Sequence, residues 1–138
     1  MNRIWPTKIK TPYLPIGAPI AEGLAILEST GGKSFEEMDG DTRTLRVNLP
    51  DFEMAVHDTN GVVSAVWYND PAGRLTWFGK FRKIWLYQQR FTVNGEWEMR
   101  ISNGWMRHYF NDIDRLHMVY GIHMDVIRIN DMGPADAV

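Results

Sequence analysis

The sequence predicts an α+β fold: a mostly antiparallel meander sheet of six to seven strands, with two or three short helices packed on one face. Three Asn-Gly pairs, Asn60-Gly61, Asn94-Gly95 and Asn103-Gly104, each separate runs rich in aliphatic and aromatic residues. A two-residue hairpin loop needs positive φ at both central positions, and Asn followed by Gly accepts that best. Several flanking runs alternate apolar and polar residues with a period of two, the pattern of a half-buried strand. Helix-spaced segments before Gly31 and after Phe110 supply the covering layer such a sheet needs.

With 138 residues, the chain fits one domain, and a chain of this length buries roughly two-thirds of its unfolded surface. Residues 1–19 read as a Pro-interrupted arm anchored by Trp5, Tyr13, Leu14 and Ile16. Residues 20–130 form the α+β core, and residues 131–138, with Gly133-Pro134, a flexible tail.

Pro19 to Ser29 sets Ile20, Leu24 and Leu27 at helical spacing, with proline in the first turn and Gly31-Gly32 past the end. Ser34-Phe35-Glu36-Glu37 has capping-box spacing and predicts one helical turn ended by Gly40. Thr44 to Leu49 puts Leu45, Val47 and Leu49 on one face of a strand that Pro50 closes. Phe52, Met54 and Val56 mark the next strand, and Asn60-Gly61 turns it into a third over Val62 to Tyr68. Asn69 to Gly73 is dense in turn formers, and Arg74 to Phe78 reads as a short strand. The run from Ile84 to Phe110 predicts three antiparallel strands, over 84–93, 96–102 and 105–110, with Trp97, Met99 and Ile101 facing away from Glu96, Glu98, Arg100 and Ser102. Asn111 or Asp112 then caps a helix carrying Ile113, Leu116, Val119 and Tyr120 on one face, stopped by Gly121. Ile122 to Ile129 is the last strand.

Cysteine is absent, which excludes disulfides, thiolate metal sites and a cysteine nucleophile and suits a reducing compartment. The opening MNRIWPTKIK lacks the apolar core of a secretory signal, and the uncharged run Thr11 to Ala21 holds Pro12, Pro15 and Pro19. The expectation is a cytoplasmic protein without a membrane partner. The formal charge of −2 conceals an asymmetry: residues 22–58 carry nine acidic groups against three basic ones, and residues 71–110 seven basic against two acidic. Such asymmetry marks either a binding surface or two halves of one fold that complement each other.

Familiar catalytic patterns do not occur. Gly31-Gly32-Lys33-Ser34 ends like a phosphate-binding loop, but Leu27 stands where the leading glycine belongs. Ser29, Ser34, Ser64 and Ser102 sit in no nucleophile elbow. The acidic run Glu36 to Asp41 lacks the alternating oxygen ligands and closing glutamate of a calcium loop. Of the histidines, His57, His108, His117 and His123, the last two are six residues apart, which matches no zinc spacing. Asp112, Asp114 and Asp125 are the carboxylates that folding could bring to them at a sheet edge. No catalytic residue, metal ligand or cofactor is assigned.

Binding signals are stronger. Glu36, Glu37, Asp39, Asp41 and Asp51 form an acidic segment suited to a basic protein partner. Lys80, Arg82, Lys83 and Trp85 lie in a stretch, Trp77 to Tyr87, that interleaves rings with cations, the combination that holds single-stranded nucleic acid or a phosphate-bearing ligand. The net acidity of the chain weighs against nucleic acid. Six tryptophans in 138 residues exceed what a core of this size can centre, and Trp is enriched at interface hot spots.

Val66 to Arg74, VWYNDPAGR, and Met118 to Asn130, MVYGIHMDVIRIN, resemble small bacterial immunity proteins, which bind and silence a secreted antibacterial toxin. The resemblance covers the later half of the chain, contains no diagnostic motif and transfers no functional residue. It implies a compact, cysteine-poor binder of one protein partner, a secreted toxin, without chemistry of its own. The reading that follows is a non-enzymatic protein-binding domain; the alternative is a nucleic-acid or phospholigand binder working through residues 77–87.

Overall fold

Residues 9–50, 52–69, 77–121 and 126–132 are described by a computed structural model of the chain. Among these residues, two helices and eight strands follow in the order α1 (Ile20–Ser29), β1 (Lys33–Asp39), β2 (Thr42–Asn48), β3 (Glu53–Thr59), β4 (Val62–Asn69), α2 (Trp77–Phe91), β5 (Glu98–Ser102), β6 (Met106–Asn111), β7 (Leu116–Gly121) and β8 (Val126–Asp131). All the strands join one antiparallel sheet, ordered β1-β2-β3-β4-β8-β7-β6-β5. The expected α+β class and antiparallel sheet are therefore present, with one strand more than expected. The meander breaks once: the connection containing α2 carries the chain from central β4 to the far edge, and β5 to β8 work back until β8 pairs with β4.

Strand alternation gives the sheet one apolar face. Leu45, Val47, Met54, Val56, Val66, Tyr68, Met118, Tyr120, Ile127 and Ile129 are buried there, and both helices pack on it. From α1, Leu27 enters the core, and Gly23 lets the helix come close: a Cβ there would lie 3.2 Å from Val63 Cγ2. From α2, Ile84, Tyr87 and Phe91 enter, at steps of three and four residues. Each such buried side chain contributes about 1.5–3 kcal/mol. The Tyr87 ring lies 5.0 Å from that of Tyr68. Residues Thr11 to Leu14 are tied to the same layer: Leu14 is buried and its N–H donates to Tyr68 Oη at 3.1 Å, Thr11 Oγ1 and Tyr87 Oη share a hydrogen bond of 2.8 Å, and Arg90 donates to the Thr11 carbonyl at 2.7 Å.

Four local expectations are corrected. Residues 84–91 belong to a helix, because Ile84, Tyr87 and Phe91 form a stripe at helical spacing whereas the strand reading would have buried Gln88. The capping-box segment 34–37 is part of edge strand β1, paired along its length with β2, whose clean alternation templates it. The helix expected after Asn111 is a tight turn, with Arg115 at φ +58°, leading into β7, where Leu116, Met118 and Tyr120 are buried in alternation. Asn60-Gly61 makes the hairpin turn its residues demand, with φ of 56° and 80°. Asn103-Gly104 joins β5 to β6, while Asn94-Gly95 lies in the α2–β5 connection and makes no hairpin. Trp77 and Phe78, expected to end a short strand from Arg74, instead open α2, while residues 70–76, 122–125 and 133–138 lie outside the described residues. No described helix is long and apolar enough to cross a membrane.

Candidate functional site

The alternation that buries one face sends the other half of the strand side chains to the opposite face, and no helix covers that face among the described residues. Cross-strand register places Arg46, Ala55, Trp67, Arg128, Val119 and His108 in one row across β2, β3, β4, β8, β7 and β6. The adjoining row holds Glu37, Thr44, His57, Ala65, Asn130, His117, Phe110 and Glu98. The bulge in β5 sets Met99 opposite Tyr109 and Ile101 opposite His108, so these two apolar residues serve opposite faces despite their even spacing.

Trp67 and Arg128 face each other at the centre and divide the surface into two depressions. One, of about 300 Å³, is lined by Trp67, Met106, His108, Val119, Val126, Arg128 and Asn130, with no carboxylate among the described residues. The other, of about 290 Å³, lies toward β1 and holds Glu37, Asp39, Thr44, Arg46 and His57. The Arg46 guanidinium sits 5.5 Å from the Trp67 ring and 3.7 Å from Glu37. Arg128 Nε donates to Asn130 Oδ1 at 2.7 Å, and no carboxylate pairs with Arg128 among the described residues.

His108 Nδ1 and His117 Nε2 are 3.0 Å apart, so one ring donates and the other accepts. Phe110 stacks on His117 with centroids 4.5 Å apart. Burial, then His108 and Arg128, hold the His117 imidazole below its ordinary range. Burial, then Arg128 and Arg46, do the same to His57. Both rings are thus biased toward the neutral form on a face whose centre carries two guanidinium groups.

The acidic segment is a rim, not a patch. Glu36 points to the helix-bearing side, where Arg43 approaches it at 3.4 Å while also holding Asp58 at 2.9 Å. Glu37 and Asp39 belong to the uncovered side, and Asp41 is exposed in the β1–β2 turn. No cation pairs with Asp39 or Asp41 among the described residues, and Asp51 lies outside them. Every residue of β1 is exposed, including Phe35 and Met38, and its outer edge pairs with no strand among the described residues.

Lys80, Arg82, Lys83 and Trp85 lie on α2, where the helical period separates them. Lys83 is 4% exposed, Lys80 is half-buried, and the Arg82 guanidinium stacks 4.4 Å from the exposed Trp85 ring. The histidines do not gather: β4, β8 and β7 stand between His57 and His108, and His123 and Asp125 lie outside the described residues. Asp112 pairs with Arg100, and Asp114 holds the 93–95 backbone. Among the described residues no three metal-ligating side chains converge.

Sequence reasoning missed Trp67, Arg128 and Arg46. The signal was present: alternation puts Trp67 with Ala65 and opposite Val66 and Tyr68, marking a tryptophan on the non-core face. Its value was hidden because β8, which brings Arg128 beside it, is 61 positions away in sequence. Comparison with protein-family models, with curated proteins and with solved structures gives no match.

Proposed function

We propose that the protein is a non-enzymatic binding domain that docks one protein partner through the β1–β2 hairpin, in the manner of an immunity protein that inhibits a toxin. The observation that carries this reading is the composition of the edge strand. Residues 36–41 hold four carboxylates and no cation, and Phe35 and Met38 stand 43% and 64% exposed beside them. An unpaired edge invites strand addition unless something blunts it. Here the carboxylates repel a second acidic strand and attract a basic surface, while the two apolar side chains supply desolvated contact once docked. Arg43 and Arg46 approach Glu36 and Glu37 at 3.4 and 3.7 Å in exposed pairs that leave the carboxylates accessible to a partner. A basic nuclease toxin has the complementary surface.

The test is affinity purification of the tagged protein from the cells that encode it, washed at roughly 0.5 M salt, where a Debye length near 4–5 Å screens weak exposed electrostatics. The wild-type chain is expected to retain one stoichiometric protein, and Glu36→Lys/Glu37→Lys/Asp39→Lys/Asp41→Lys to lose it. Equal recovery of that protein by the variant would remove the hairpin from the interface.

A further inference from the structure

The uncovered face also carries a feature that a protein-docking hairpin does not use. The depression beside Trp67 combines a mostly apolar lining with one cation, Arg128, that no carboxylate pairs with among the described residues. Trp67, Met106, Val119 and Val126 supply the walls and floor, His108 stands at one side, and Arg128 is the fixed positive charge. Three described arginines pair with carboxylates: Arg43 with Asp58 and Glu36, Arg46 with Glu37, Arg100 with Asp112 and Glu98. Arg128 is held only through Nε on Asn130, which orients the guanidinium and leaves its two terminal nitrogens without a carboxylate among the described residues.

We propose that this depression binds a small molecule consisting of a planar apolar body and one carboxylate, with the carboxylate on Arg128 and the body against Trp67. Charge complementarity selects the anion: among the described residues the lining contains no acidic group to repel a ligand carboxylate. The fork of a guanidinium matches a carboxylate in a bidentate pair. One guanidinium and mostly apolar walls among the described lining residues fit one negative charge on an apolar body better than a compact phosphate dianion, whose hydration such walls would strip without replacement. The flat face of Trp67 favours a planar partner. At about 300 Å³ the space sits at the lower end of the range for small-molecule sites, so the ligand is small. The field of Arg128 is felt already by His57 and His117, both held toward the neutral form in part by it; neutralising that arginine would relax both.

The experiment uses 2-naphthoate, neutral 2-naphthylmethanol and inorganic phosphate as probes, followed by amide chemical shifts of the full chain and by calorimetry. Saturable shifts of the Val119, Val126 and Arg128 amides with naphthoate are expected. Arg128→Gln should weaken binding by roughly 10- to 100-fold, the range for a lost charge-assisted pair, while Arg100→Gln leaves it unchanged. The naphthylmethanol should bind as weakly as naphthoate does to Arg128→Gln, and naphthoate should raise the midpoint of the His117 imidazole titration. If Arg128→Gln does not fold, Trp67→Leu and the neutral probe carry the same comparison. Absence of saturable shifts, equal binding of the alcohol, or phosphate binding as tightly as naphthoate would each overturn the proposal.

Discussion

Asp114 accepts the backbone N–H of Asn94 at 2.9 Å, and the same carboxylate takes the N–H groups of Val93 at 2.8 Å and Gly95 at 3.2 Å. Asn111 Nδ2 adds a fourth donor at 2.9 Å. One side chain from the β6–β7 turn thereby organises the segment that delivers the chain from α2 to β5. Burial raises the pKa of this carboxyl, but the hydrogen bonds together outweigh it and hold the group below the ordinary carboxylate range. Asp114→Ala would leave the amides of residues 93–95 without their acceptor, and a loss of about 1–3 kcal/mol is expected. Urea melts of the two proteins check it, with Asp114→Asn retaining part of the stability through its remaining carbonyl oxygen.

Gly95 is required by the same clamp for a different reason. A Cβ at this position would lie 1.8 Å from Asn111 Oδ1, and Asn111 is fully buried. The Asn111 oxygen cannot withdraw cheaply, because it accepts the Asp114 N–H at 3.0 Å. Gly95→Ala should cost about 1–3 kcal/mol as an overpacking substitution. Gly104→Ala serves as the contrast: no atom lies within 4 Å of a Cβ there, and only the φ of +86° is strained. Thermal melts of the two variants should rank Gly95→Ala lower.

These two residues show what the sequence reveals and what it hides. Asn94-Gly95 was legible as a turn former, but its real partner, Asp114, is supplied from another hairpin 20 positions on. Where pairing is local, as in β2 to β4 with their intervening Asn60-Gly61, alternation and turn chemistry specify both strands and register. Where a segment's period is ambiguous, tertiary packing decides. Ile84, Tyr87 and Phe91 become a helical stripe because the sheet offers Tyr68 as a neighbour. The acidic residues of the candidate rim were legible one by one. Their division between two faces was not, because it required knowing that residues 33–39 form a strand and not a helical turn.

Tyr68 joins the arm to the core. Its hydroxyl accepts the Leu14 N–H at 3.1 Å in a site where the tyrosine is fully buried, and burial pushes the phenol well above its ordinary range. Tyr68→Phe keeps the packing against Tyr87 and Phe91 but strands a buried backbone donor, at a cost of about 1–3 kcal/mol. Amide exchange should show the loss at Leu14 first, because the arm loses its tie to the sheet while the ladders remain intact.

The uncovered face predicts a pH dependence through His57 and His117. Both imidazoles have pKa values lowered from 6.5, by burial first and then by neighbouring positive groups: Arg128 and Arg46 for His57, His108 and Arg128 for His117. Above that value both rings are neutral in folded and unfolded chains alike, and they contribute no slope. As the pH falls below 6.5, the unfolded chain takes up protons that the folded one resists, so stability decreases until the depressed folded values are passed. Asp112 and Asp114, whose pKa values are lowered from 3.8, contribute only in the separate window below that value. Melting temperatures measured between pH 7.5 and 5 should therefore fall, and His57→Gln/His117→Gln should flatten the fall while leaving the drop below pH 4 in place. An unchanged slope in the double variant would show that these rings protonate as freely in the folded chain as in the unfolded one, and would assign the acid sensitivity to other groups.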